Sequence, residues 1–117
     1  MSWVNNEFLP IVQQRGKAVI DSRGASSATS AAKAALDTVV ACENPTRSGE
    51  CFSAAVITDG SYDLPDGIIC GMPLMTTSDG NVEIVRDIVL SEFAKEKIKI
   101  STNELIEERS AVEDLLK

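Results

Sequence analysis

Three serines, Ser26, Ser27 and Ser30, sit in one short stretch, Arg23-Gly24-Ala25-Ser26-Ser27-Ala28-Thr29-Ser30-Ala31-Ala32-Lys33-Ala34-Ala35. Their chemistry is that of orienting and polarising. Hydroxyls at the start of a helix, where unpaired backbone N–H groups and the positive end of the helix dipole lie, suit a small anion. The same serines serve equally as helix caps, each accepting a backbone N–H, and that role needs no ligand. Spacing alone favours the cap. The sequence contains no His, so the usual proton shuttle near neutral pH is missing, and neither a Ser-His nor a Cys-His nucleophile can be assembled from this chain alone.

The elements that must position these serines are two helices. Leu9, Val12, Gly16, Val19 and Ile20 recur at helical spacing and predict a helix over about 9–22, after a short turn at 2–8. Pro10 is tolerated in its first turn. Gly16 on the apolar face costs roughly 1 kcal/mol relative to Ala; close approach by a neighbour or simple tolerance would each account for it. Gly24 stops this helix, since glycine readily takes the left-handed conformation that ends helices. A second helix, capped by Ser26 or Ser27, carries Ala28, Ala31, Ala32, Ala35, Leu36, Val39 and Val40 on one stripe and stops near Glu43, before Asn44-Pro45.

Strands follow. Cys51–Thr58 and Ile68–Thr77 are apolar runs, the first expected to be covered on both faces. Pro73 inside the second implies an edge or a bulge. Ser78-Asp79-Gly80-Asn81 predicts a tight hairpin into a half-exposed third strand from Val82. Ser91 caps a last amphipathic helix, with Ala94, Ile98, Leu105, Val112 and Leu116 on its apolar stripe, running to about Leu116. The expected class is α+β: two consecutive helices, a three-stranded antiparallel sheet and a long C-terminal helix, in a single domain over 1–117.

Composition narrows function by exclusion. The 117 residues carry a net charge of −7, eleven Lys and Arg against eighteen Asp and Glu, so neither nucleic acid nor an anionic membrane surface is an expected partner. Three cysteines, Cys42, Cys51 and Cys70, without a C-x-x-C pair suit free thiols in a reducing compartment. Spread as they are, with no His, they make no zinc site. Met1–Glu7 lacks the basic and apolar regions of a signal peptide, and no apolar run reaches membrane-spanning length, so a soluble chain is expected. Neither G-x-G-x-x-G nor a P-loop pattern is present to cradle a cofactor phosphate.

The runs Val12–Ile20, Ser22–Ala28 and Ser30–Ala35, followed by Thr58–Tyr62, Leu64–Gly67, Pro73, Ile84-Val85, Glu92–Lys97, Glu104-Leu105 and Glu107-Glu108, resemble the carboxy-terminal region of cytosolic-type malate dehydrogenases, in the lactate/malate dehydrogenase family. Val40–Arg47 and Cys70-Gly71-Met72 depart from that pattern, away from the serines. The resemblance implies an NAD-dependent, cytoplasmic enzyme interconverting malate and oxaloacetate, whose Rossmann domain, catalytic His and its Asp partner lie upstream of the matched region. It implies that Ser26, with neighbours Ala25 and Ser27, lies beside the substrate, that Ser30 lies near the nicotinamide, and that the alanine-lined helix joins a homodimer interface. This chain alone would then bind no NAD, lack any catalytic residue and be inactive, with apolar surface left bare. The alternative is a stand-alone interaction module that associates through the alanine-lined helix.

Overall fold

The structure, a computed structural model, describes residues 2–115. The expected terminus of the last helix at Leu116 lies outside them. The chain divides into two compact units, 1–37 and 38–117, with the boundary inside the second helix.

In the first unit a short π-helical turn, Val4–Phe8, leads directly into helix α1, Leu9–Arg23. Pro10 occupies its first turn, where a missing N–H leaves no intrahelical bond unmade. Gly24 ends it with φ +74°, its N–H reaching the Ile20 carbonyl at 2.8 Å. Helix α2, Thr29–Glu43, starts one residue later than a Ser27 cap would place it. Both helices form where the periodicity puts them, but their apolar faces are not buried: Val12, Ile20 and Leu36 are about half exposed or more. Among the described residues nothing lies within 4 Å of a Cβ built on Gly16, so no close approach within this chain accounts for that glycine.

The second unit contains the sheet. Strands β1 (Phe52–Ile57), β2 (Ile69–Thr76) and β3 (Val82–Ile84) are antiparallel in the order β1-β2-β3. Register pairs Phe52 with Leu74, Ala54 with Met72 and Leu74 with Ile84, which gathers one face. Met72 and Leu74 on that face are buried, as is Ile68 just before β2. The opposite face carries Ser53, Ala55 and Ile57 paired with Pro73, Gly71 and Ile69, and Ile57 and Ile69 are largely exposed. The expectation that β1 is covered on both faces is therefore corrected: its residues alternate between half-buried and exposed. The apolar run arose from small and branched side chains on both faces, and composition does not say which face is covered.

Pro73 corrects a second expectation, that of an edge or a bulge: β2 is the central strand, and its register with β1 runs through Ser53–Pro73 without a break. The Pro73 carbonyl accepts the Val85 N–H at 2.9 Å, just beyond the end of β3. In an antiparallel ladder the reciprocal bond would run from residue 73 N–H to the Val85 carbonyl, and proline cannot make it. The Tyr62 hydroxyl donates to that carbonyl instead. The hairpin closes as predicted: Gly80, at φ +81°, donates to the Thr77 carbonyl at 3.0 Å.

Two threonines fix the ends of β2. The Thr76 N–H donates to Thr46 Oγ1 at 2.8 Å, and Thr76 Oγ1 donates to the Ala41 carbonyl at 2.7 Å, tying β2 to the end of α2. Thr58 Oγ1 accepts the Ile68 N–H at 3.1 Å, closing the Asp59–Gly67 loop. Helix α3 runs Glu92–Ala111, and Ser91 Oγ accepts the Ala94 N–H at 3.2 Å, as a cap should. Its most buried residue is Thr102, whose hydroxyl donates to the Ile98 carbonyl at 3.0 Å; Ala94, Ile98 and Leu105 flank it, half-buried.

Candidate functional site

The serine stretch lies in the first unit, in the connection from α1 to α2. Gly24 in the left-handed conformation turns the chain out of α1. Arg23, the last residue of α1, reaches across the turn and donates Nη1 to the Ser26 carbonyl at 3.2 Å. Ser27 and Ser30 share a hydrogen bond between their hydroxyls, which joins the loop to the first turn of α2. Ala25, Ser26 and Ser30 are exposed, and Ser27 is half-buried. The four residues singled out from sequence are thus brought into one loop and helix start.

Four of the seven charged side chains of this unit form two ion pairs. Lys17 meets Asp21 at 2.6 Å and Lys33 meets Asp37 at 2.7 Å, each one helical turn apart. Neither Arg15 nor Arg23 meets a carboxylate among the described residues, and Arg23 instead donates to a neutral carbonyl. The loop therefore presents hydroxyls beside a guanidinium that keeps free donors, since Arg carries five N–H groups. The hydroxyl set can hydrogen-bond a carboxylate or a carboxamide. It cannot move a proton, for no group that titrates near neutral pH stands among Gly24–Ser30.

The second unit holds residues that periodicity did not single out. Tyr62 and Asp63 adopt φ of 59° and 57°, left-handed values uncommon outside glycine. With Leu64, Leu90, Lys95 and Asn103 they line a groove of about 330 Å³. A neighbouring groove of about 400 Å³ is apolar, lined by Phe52, Met72, Pro73 and Ile88. The only sequence signal for these was the turn chemistry of Asp59-Gly60-Ser61 and Leu64-Pro65-Asp66-Gly67.

The titratable groups here serve structure. Asp59 is held down to about 2 from an ordinary 3.8, first by the Ser61 hydroxyl and amide and then by Arg86, whose Nη2 lies 2.5 Å from Asp59 Oδ2. The hydrogen bond from Lys95 to Glu92 raises the lysine. Burial pushes the Cys70 thiol up, away from a reactive thiolate. All three cysteines are free, and among the described residues no group of three or more His, Cys, Asp or Glu could hold a metal ion. No helix of the described residues is long and apolar enough to cross a membrane.

Comparison with known proteins identifies the family and the fold. Residues 1–115 match the lactate/malate dehydrogenase alpha/beta C-terminal domain. The chain is 49% identical over 115 residues to malate dehydrogenase of Magnetococcus marinus, covering 98% of this chain and 35% of that protein. It is 44% identical over 114 residues to malate dehydrogenase of Cutibacterium acnes, covering 97% and 35%. Among solved structures, malate dehydrogenase of Naegleria fowleri superposes with a TM-score of 0.86 at 40% identity, over 97% of this chain and 34% of that one. Lactate dehydrogenase of Trichomonas vaginalis in complex with NADH and oxamate shares the fold, with a TM-score of 0.86 at 23% identity over 98% and 35%. The chain thus spans about a third of the length of the relatives it matches. With its helix pair, antiparallel sheet and capped C-terminal helix, the chain belongs to the lactate/malate dehydrogenase family, as the alpha/beta C-terminal domain.

Proposed function

We propose that this chain is the substrate-binding and subunit-contact part of a cytosolic-type, NAD-dependent malate dehydrogenase, acting in the cytoplasm as a homodimer. Malate or oxaloacetate is its substrate, and residues 1–117 act as one domain beside a Rossmann domain that this sequence does not contain. The observation that carries the reading is the likeness to malate dehydrogenases at 44–49% identity over nearly the whole chain.

Within that enzyme the roles divide by chemistry. The Ser26 hydroxyl orients and polarises the substrate, with Ala25 and Ser27 shaping its side of the site. Ser30, joined to Ser27 through their hydroxyls, faces the nicotinamide. The exposed hydroxyls fit a carboxylate or carboxamide edge; the sequence offers no glycine-rich loop for the dinucleotide phosphates. NAD supplies the hydride acceptor when bound. The proton transfer that accompanies hydride transfer needs a base near neutral pH, and a chain without His does not provide it.

The test has two arms. The chain alone, mixed with NADH and oxaloacetate, should oxidise no NADH, and turnover by it would overturn the claim that it lacks the proton-transfer residue. Grafted in place of the matching carboxy-terminal third of the Magnetococcus marinus enzyme, it should support NADH oxidation. Failure of a folded graft to do so would remove the assignment to malate dehydrogenase.

A further inference from the structure

We infer that Arg23 is a positioning residue of this site, fixing Ser26 against the end of α1 so that its hydroxyl meets the substrate; this rests on the reading of Ser26 proposed above. Three observations converge on it. Gly24 turns the chain at φ +74°, so the residues after it leave the helix axis and are no longer held by the helical ladder. The Arg23 Nη1 bond to the Ser26 carbonyl, 3.2 Å long, spans that turn and restores a fixed point. The downstream side of the loop is held separately, by the Ser27–Ser30 hydroxyl pair. Ser26 thus lies between two ties, one from each helix, and Arg23 supplies the only side-chain tie from the α1 side among the described residues.

Arg23 is set apart by its bond to the loop and not by the lack of an acidic partner, which Arg15 shares among the described residues. The nearby lysines Lys17 and Lys33 are neutralised by acids one turn along their own helices. Arg23 is aimed at the loop backbone and donates to a carbonyl that the turn has freed from the helix. A bond from a cation to a carbonyl is stronger than one between neutral groups, because the donor carries a full charge.

The experiment uses the graft of this chain into the Magnetococcus marinus malate dehydrogenase, with the variants Arg23→Met, Arg23→Lys, Ser26→Ala and the double variant Arg23→Met/Ser26→Ala. Arg23→Met should raise the KM for oxaloacetate roughly tenfold, the equivalent of one lost charge-assisted hydrogen bond, with the KM for NADH unchanged. Arg23→Lys, which keeps a charged donor, should recover most of that loss. Because Arg23 acts through Ser26, the double variant should be no worse than Ser26→Ala alone. Additive losses would overturn the inference, by showing that Arg23 attracts substrate independently of Ser26. So would an Arg23→Met variant with unchanged oxaloacetate KM in a graft where Ser26→Ala is impaired. If Ser26→Ala itself leaves the oxaloacetate KM unchanged, the reading of Ser26 fails first and the role of Arg23 falls with it. Unfolding midpoints of all variants separate these outcomes from loss of fold.

Discussion

Asp59 serves two ties with one carboxylate. Oδ1 accepts from the Ser61 amide at 3.1 Å and the Ser61 hydroxyl at 2.5 Å, while Oδ2 meets Arg86 beside the end of β3. Each contact is stronger to the ionised form, which holds the group at about 2 instead of 3.8. A carboxyl with a depressed folded-state pKa contributes stability that is complete above its unfolded value and is lost as the pH falls through the folded one. The window here runs from 3.8 down to about 2. Asp59→Asn should abolish this component, so the urea midpoint of the variant should fall less steeply with acidification across that window than that of the unsubstituted chain. Ser61→Ala should lie between them, since Ser61 supplies the largest share of the shift. Parallel curves for all three chains would show that the cluster does not set the acid limb. The turn signal Asp59-Gly60-Ser61 made the loop legible from sequence. The partner Arg86 was not legible, because it stands 27 residues away and only the sheet brings it near.

At the scale of the element, β2 shows what local pattern leaves open. Hairpin and cap were readable: Gly80 takes the left-handed turn its position requires, and Ser91 caps α3. The order of strands was not, for Pro73 argued for an edge or a bulge and stands in the central strand. The missing N–H is compensated from outside the ladder by Tyr62, donating to the Val85 carbonyl. Periodicity cannot foresee a side chain completing a strand pairing. Tyr62→Phe should therefore cost about 1 kcal/mol, the usual net worth of one such bond, read as a lower urea midpoint at unchanged slope. Pro73→Ala returns an N–H facing the same carbonyl. In the Pro73→Ala background, Tyr62→Phe should cost clearly less. An equal cost in both backgrounds would show that Tyr62 is not the substitute donor. The strained backbone at Tyr62 and Asp63, both near φ +58°, is consistent with a loop shaped to deliver that hydroxyl.

At the scale of the molecule, the helix periodicity reported faces that ask to be covered, and they are not covered within the described residues. Ile11, Val12, Leu36 and Val39 are 53–64% exposed on the helices, and Ile57 and Ile69 are 67% and 64% exposed on the open face of the sheet. Among the described residues the buried large apolar side chains come down to Ile68, Met72 and Leu74. A stripe in the sequence says that a face is apolar; it does not say whether the same chain, a second copy or a further domain meets it, which is why the helices were legible and their burial was not. The chain matches only about a third of its relatives' length, and in those proteins more polypeptide is available to cover such faces. Apolar area of this kind, left in water, drives association. Light scattering behind size-exclusion chromatography should give a mass above that of one chain, rising with concentration. Leu36→Glu on α2 should lower it without lowering helix content by circular dichroism, because Leu36 is 64% exposed and its replacement disturbs no core. A single-chain mass at every concentration would show that these faces are tolerated in water. A mass insensitive to Leu36→Glu would place the contact on the open sheet face, where Ile57→Lys is the matching variant.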